Sequence, residues 1–217
     1  MTVTAPRELR ADAQRNLARV LEAAREVFAE EGIDAPVTEI AARAGVGVAT
    51  IFRRFPTKED LLVALLAQRG RQLVADVDAA LAADDAGAAF RRFLESAAAV
   101  QIADRGFCDS IGTDLFARDE LRTLFDDVHA RFRTLLAHAQ AAGEVRADVT
   151  AEDLLFVLHG VARSGLMLAD AAPGAWRRQL TIALDGLRPE GASPMPHRPL
   201  TRRQFEAARC GVDTRSR

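Results

Sequence analysis

The side chains able to do covalent or metal chemistry are few in this chain and lie apart. His129, His138 and His159 stand in its body, and His129 and His138 are nine residues apart, which puts them on opposite sides of one helix. No HExxH pair, no histidine with a carboxylate four residues away and no glycine-rich phosphate loop occurs. Each histidine therefore reads as surface or pocket lining, with no metal and no cofactor expected. Cys108 and Cys210 are far apart without CxxC spacing, which points to a reducing compartment. Asp109 beside Cys108 works against a reactive thiolate. Ser110 and Ser164 lack a neighbour that would activate them. No enzyme is expected.

What stands out instead is a concentration of positive charge. Residues 37–58 read VTEIAARAGVGVATIFRRFPTK, with no acidic residue from Ile40 to Lys58 and with Arg43, Arg53, Arg54 and Lys58 inside that window. The whole chain has a formal charge of −2, so this local surplus is not background. A basic strip on an exposed helix suits a phosphate backbone. Arg53 and Thr50 could reach base edges, while Arg54 and Lys58 could hold phosphates. Thr38, Arg43, Val48, Ala49 and Phe52 complete the expected nucleic-acid surface.

Two short helices must position that strip. Ile40 and Ala44 are one turn apart, with the small Ala41 between them. Gly45 stops the first helix, because glycine accepts the left-handed conformation of a C-cap. Ile51 and Phe55 repeat the four-residue spacing on the second helix, leaving Ala49, Thr50 and Arg53 outward. This is a helix-turn-helix pattern, whose second helix enters the major groove of double-stranded DNA.

The remaining periodicity is helical throughout. Leu17, Val20, Leu21, Ala24, Val27 and Phe28 form a first stripe, ended by Gly32. A long helix starts at Lys58 and is interrupted by Gly70, which marks a bend or a close helix contact. Further stripes follow, with a near-capping box at Thr150 and Asp153. The helix around 151–171 is apolar on more than one side, which asks for a second subunit. Leu158, Val161, Gly165, Leu166, Trp176, Leu180 and Leu184 are the expected self-association face. Phe90, Phe93, Phe107, Ile111, Phe116, Phe132 and Phe156 are the expected lining of a small-molecule pocket.

These readings predict an all-α protein. Residues 1–16 read as a flexible arm, 17–57 as a helix-turn-helix domain, 58–188 as a helical effector-binding and dimerisation domain, and 189–217 as a flexible, basic tail with a short helix at LTRRQFEAAR. The 217 residues are 49% hydrophobic, enough for a sizeable core. No run approaches a membrane span of about 20 apolar residues, and the first residues carry no signal-peptide pattern. A cytoplasmic location without membrane contact is expected.

Residues 17–66 resemble the DNA-binding domain of the TetR/AcrR family of bacterial regulators, through LARVLEAAREVFAEEGIDAP and TEIAARAGVGVATIFRRFPTKEDLLVALL. The PLTRRQFEAAR tail looks like the SbtR-like branch. The resemblance implies a homodimer whose last two helices pair across a two-fold axis. It also implies a phosphate-contacting Lys58 at the start of helix four. Members commonly carry Tyr where Phe52 stands, so that hydroxyl is missing here. His is common at the place of Arg54, and a polar or basic residue and Gly at the places of Val48 and Ala49. A repressor released from a palindromic operator by a small-molecule effector is the expectation. Two alternatives stay open: an activator or a binder without effector, and a helical enzyme or small-molecule carrier with no DNA function.

Overall fold

A computed structural model describes residues 6–210, with side chains from residue 15 on. Among the described residues all regular structure is helical: α1 Pro6–Glu31, α2 Val37–Ala44, α3 Val48–Arg54, α4 Lys58–Leu81, α5 Ala86–Ala103, α6 Arg105–Ser110, α7 Asp119–Ala141, α8 Ala151–Met167, α9 Ala175–Asp185 and α10 Arg202–Arg209, with a short 3-10 turn at Asp114–Ala117.

Two ends of this order differ from the sequence reading. The expected arm is helical from Pro6, since proline fits the first turn of a helix and Leu, Arg, Ala and Gln favour its continuation. Within the expected tail the short helix at LTRRQFEAAR is present as α10, but it is docked on the body and not loose. Thr201 caps that helix and shares a capping box with Gln204. Phe205 is buried, with its ring 4.8 Å from His129 and 5.8 Å from Phe156. Arg202 and Arg209 both reach Asp126 of α7, at 3.2 and 3.1 Å. The Gly112 amide donates to the Arg209 carbonyl at 3.1 Å. Residues 1–5 of the arm and 211–217 of the tail lie outside the described residues.

The apolar side chains gather in two clusters. One joins α1, α2, α3 and the first half of α4 to Phe107, Leu115, Phe116, Leu121, Phe125 and Cys210. The other joins Val77 of α4 to α5, α7, α8 and α9. The expected boundary at residue 57 is therefore crossed by one core, and α4 takes part in both. Gly70 lies against α7: an added Cβ would stand 2.6 Å from Leu124 Cδ2, so the close-contact reading of this glycine holds. The box at Thr150 and Asp153 is complete and starts α8, which ends at Met167 and not near residue 171.

The docking of α10 has a measurable consequence. Truncating a buried Phe to Ala costs roughly 3–5 kcal/mol where the site cannot collapse. Phe205→Ala is expected to lower unfolding free energy by about 2–3 kcal/mol in a denaturant titration, the smaller figure reflecting a helix at the edge of the fold. An unchanged midpoint would mean that α10 is detached in solution.

Candidate nucleic-acid interface and body cavity

The helix-turn-helix forms as its residue pattern requires. Ile40, Ala41, Ala44, Ile51 and Phe55 are buried. Gly45 adopts φ 65° and ψ 38°, and the Gly45 and Val46 amides donate to the Ala42 and Ala41 carbonyls. The turn leaves α3 standing on the surface. Ala49, Phe52, Arg53 and Arg54 are exposed, and Val48 and Thr50 are half-buried at its start. Phe52 is 42% exposed, an aromatic ring on an otherwise basic face. Among the described residues, Arg53 and Arg54 form no ion pair. Arg43 differs: it is held by Glu30 of α1 at 2.8 Å. Thr38 is exposed on the first turn of α2.

Lys58 opens α4, right after the Thr57 cap, with its Nζ 5.8 Å from the centre of the Phe28 ring. The Thr57 cap has a second effect. Its hydroxyl and amide bond Asp60, which together with Arg118 at 3.2 Å holds the Asp60 carboxyl below its usual range. The start of α4 is thus tied to the turn that precedes α7.

The body contains a partly open cavity of about 120 Å³. Six of the seven expected lining residues meet there: Phe93, Phe107, Ile111, Phe116, Phe132 and Phe156. Phe90 does not; it is 1% exposed and stacks behind Phe132 at 6.3 Å between ring centres. The polar wall is made by Arg69, Gln101, His129, His159 and Arg209; the sequence reading allowed the two histidines as surface or pocket lining but missed Arg69, Gln101, Arg209 and Phe205. A signal was present. Arg69 falls within the stripe of Leu62, Leu66 and Leu73, Gln101 continues that of Leu94 and Ala97, and His129 sits between Phe125 and Phe132. Polar residues on a buried stripe are the pattern to look for.

The self-association list also shifts. Leu158, Val161, Trp176 and Leu180 are buried inside this chain, Leu158 on the cavity wall. Gly165 packs so closely that an added Cβ would stand 2.7 Å from Ile102. Leu166 and Leu184 are half-buried. The same helices instead expose Val157 at 42%, Met167 at 83% and Ile182 at 63%. The α8 stripe is apolar on two sides, and periodicity alone does not say which side meets the chain's own core.

Cys108 is buried, its pKa pushed up by desolvation, with Sγ 3.8 Å from His159 Nδ1. This fits an inert thiol.

Among the described residues, an exposed basic helix-turn-helix on a helical body containing a cavity is the architecture of a DNA-binding bacterial regulator. The comparisons agree. Residues 20–65 match the family model of bacterial regulatory proteins, tetR family, and residues 85–189 match that of the C-terminal domain of SbtR-like transcriptional regulators. A TetR transcription regulatory protein from Mycobacterium vanbaalenii is 39% identical, over 83% of this chain and 99% of that one, with a TM-score of 0.57. A TetR transcriptional regulator from Streptomyces coelicolor is 31% identical, over 80% of this chain and 99% of that one, with a TM-score of 0.57. The regulator FadR from Bacillus subtilis, solved in complex with stearoyl-CoA, is 17% identical over 79% of this chain and 100% of that one, with a TM-score of 0.62, a likeness of fold alone. A search of curated proteins finds no match. The chain belongs to the TetR family of transcriptional regulators, with its DNA-binding domain at the N-terminal side. Among the described residues no helix is long and apolar enough to cross a membrane.

Burial lowers the pKa of both cavity histidines. For His129, desolvation outweighs the pull of Glu152 and Asp126, with Arg133 and Arg209 adding to the lowering. For His159, desolvation is joined by Arg163 against Asp109. The unfolded chain, with histidine near 6.5, takes up these protons first as pH falls. The contribution is therefore fully present above about pH 6.5 and is lost as pH drops below it. His129→Gln combined with His159→Gln is expected to flatten the loss of stability between roughly pH 7 and 5. An equally steep loss in thermal unfolding of the double variant would assign that dependence to carboxylates.

Proposed function

We propose that this protein is a homodimeric repressor that holds a palindromic operator and leaves it when a small molecule fills the body cavity. The observation that carries this reading is the course of α4. It begins at Lys58, beside the free basic face of α3, and reaches the cavity wall through Arg69 and Leu73. A molecule in the cavity therefore touches the helix on which the DNA-binding head is built. Two heads must present their α3 helices about 34–36 Å apart to enter successive major grooves. Tilting α4 changes that spacing and weakens operator binding.

On this reading Arg54 and Lys58 contact phosphates, while Thr50 and Arg53 face base edges. Val48, Ala49 and Phe52 supply apolar contact, which suits thymine methyl groups. Arg43 contributes less than its charge suggests, because Glu30 already neutralises it. The second subunit covers Val157, Met167 and Ile182, the exposed apolar side chains of α8 and α9.

Operator fragments selected from genomic DNA provide the substrate for the test. Arg54→Ala and Lys58→Ala are each expected to weaken specific and non-specific binding alike. Each also lowers the dependence of log affinity on log salt by roughly one unit. A wild-type chain that shifts no fragment ends the regulator reading, and an unchanged slope removes the substituted residue from the backbone contacts.

The assembly is checked separately. Ile182→Glu places a charge where the partner's apolar face should close, so light scattering is expected to show twice the chain mass for the wild type and a monomer for the variant at micromolar concentration. A monomeric wild type would remove both the dimer and the palindrome.

A further inference from the structure

The cavity has a chemical bias that its phenylalanine lining conceals. Among the described residues, the buried side-chain polar atoms without a hydrogen-bond partner are Arg69 Nε, Gln101 Oε1, His129 Nε2 and Arg209 Nε. All four residues line this one cavity. Folded proteins satisfy nearly all buried polar groups, so a cluster of orphans around one void points to a polar guest. His129 Nε2 comes within 3.5 Å of Glu152 Oε1, too long for a sound hydrogen bond.

The four are not equivalent. Arg209 already has a carboxylate, Asp126 at 3.1 Å. Glu152 faces His129 but is claimed by Arg133. Arg69 forms no ion pair among the described residues, and its nearest marked contact is the Phe107 ring, 5.9 Å from its guanidinium carbon to the ring centre. Asp104 lies nearby on a neighbouring cavity that Arg69 also lines, but its carboxylate caps α6 by accepting from the Phe107 amide at 2.9 Å. Desolvation pushes the Arg69 pKa down against the attraction of Asp76 and Asp104, and pushes the Asp104 pKa up. A guanidinium stays charged even so, and its planar fork matches a carboxylate through two parallel bonds.

Size narrows the guest further. A cavity of roughly 150 Å³ holds benzene; this one measures about 120 Å³ but is partly open, which limits the apolar body to about one ring or a short branched chain. Phe93, Phe107, Phe116, Phe125 and Phe132 give it an apolar, ring-lined interior.

We propose that the cavity takes a small organic acid, with a single-ring or short branched apolar body among the phenylalanines and its carboxylate on Arg69. This rests on the effector reading above and gives that effector a chemical class. Arg69 stands about three helical turns after Lys58 on the same helix, so the charged end of the guest engages α4 itself. His129, whose pKa burial lowers, also lines the cavity and can accept or donate to a ring substituent.

The test uses full-length protein without DNA, with calorimetry of two acid and amide pairs: benzoate with benzamide, and 3-methylbutanoate with 3-methylbutanamide. At least one acid is expected to bind about tenfold or more tightly than its amide. Arg69→Gln is expected to bring that acid down to the affinity of its amide while leaving the amide within about twofold. Arg69→Lys, which keeps charge and loses the fork, is expected to fall between them. Amides that bind as well as acids, an unaltered acid preference in Arg69→Gln, or no acid binding at millimolar concentration would each overturn the proposal. If Arg69→Gln does not fold, the acid preference of the wild type and of Arg69→Lys decides. A gel shift on the same wild-type sample keeps the two readings apart: retained DNA binding with no acid preference rejects the ligand class and leaves the regulator standing.

Discussion

The rest of the structure depends on α4 being buried in two different places by two different cores. Leu61, Leu62 and Leu66 belong to the packing of the DNA-binding head, and Val77 belongs to the packing of the body. One rigid helix spans both, because nothing between Lys58 and Leu81 breaks it. Gly70 would ordinarily weaken a helix by about 1 kcal/mol relative to Ala. Here it permits α7 to approach more closely than any side chain would allow. The head is therefore fixed to the body, and its position follows from the contacts of α4 with α7.

This arrangement explains why a polar residue is tolerated in the middle of α4. Arg69 sits on the stripe that elsewhere carries leucine, in a position that costs solvation and gains no ion pair among the described residues. In a helix serving packing alone, an aliphatic side chain would be the more stable choice. The same holds for Gln101 on α5 and His129 on α7, each interrupting an apolar stripe of its own helix and each reaching the same void. Three helices that break their pattern toward one point describe a site more specifically than the count of aromatic residues around it.

Much of the head was legible in the sequence because its constraints are local. The Ile40, Ala41, Ala44, Ile51 and Phe55 spacing, together with Gly45, admits one arrangement of two short helices, and the exposed residues follow from the buried ones. The body was legible as helices but not as surfaces. Leu158 and Trp176 have the same apolar character as Val157 and Ile182, and only the packing separates core from exposed face. The C-terminal helix was legible as a short helix at LTRRQFEAAR, but its docking was not. Its surroundings are rich in Pro, Gly and Arg, and Phe205 is its single large apolar residue, so no stripe announces a buried face. The Thr201 and Gln204 capping pair did mark its start, and Phe205 with Arg209 one turn later marked its buried side.

The C-terminal helix also changes what kind of cavity the body holds. Phe205 and Arg209 form part of the wall, and Asp126 anchors them through two arginines. Phe156 of α8, itself 36% exposed, lines the same void beside them. Burial lowers the local dielectric, and the interaction of a guanidinium with an anion grows as it falls. α10 and the unpaired arginine thus belong to one site: Phe205 and Arg209 narrow the space in which Arg69 meets a guest. Binding energy concentrated on α4 in this way can differ between two positions of that helix, and such a difference is what lets occupancy at one site alter affinity at another.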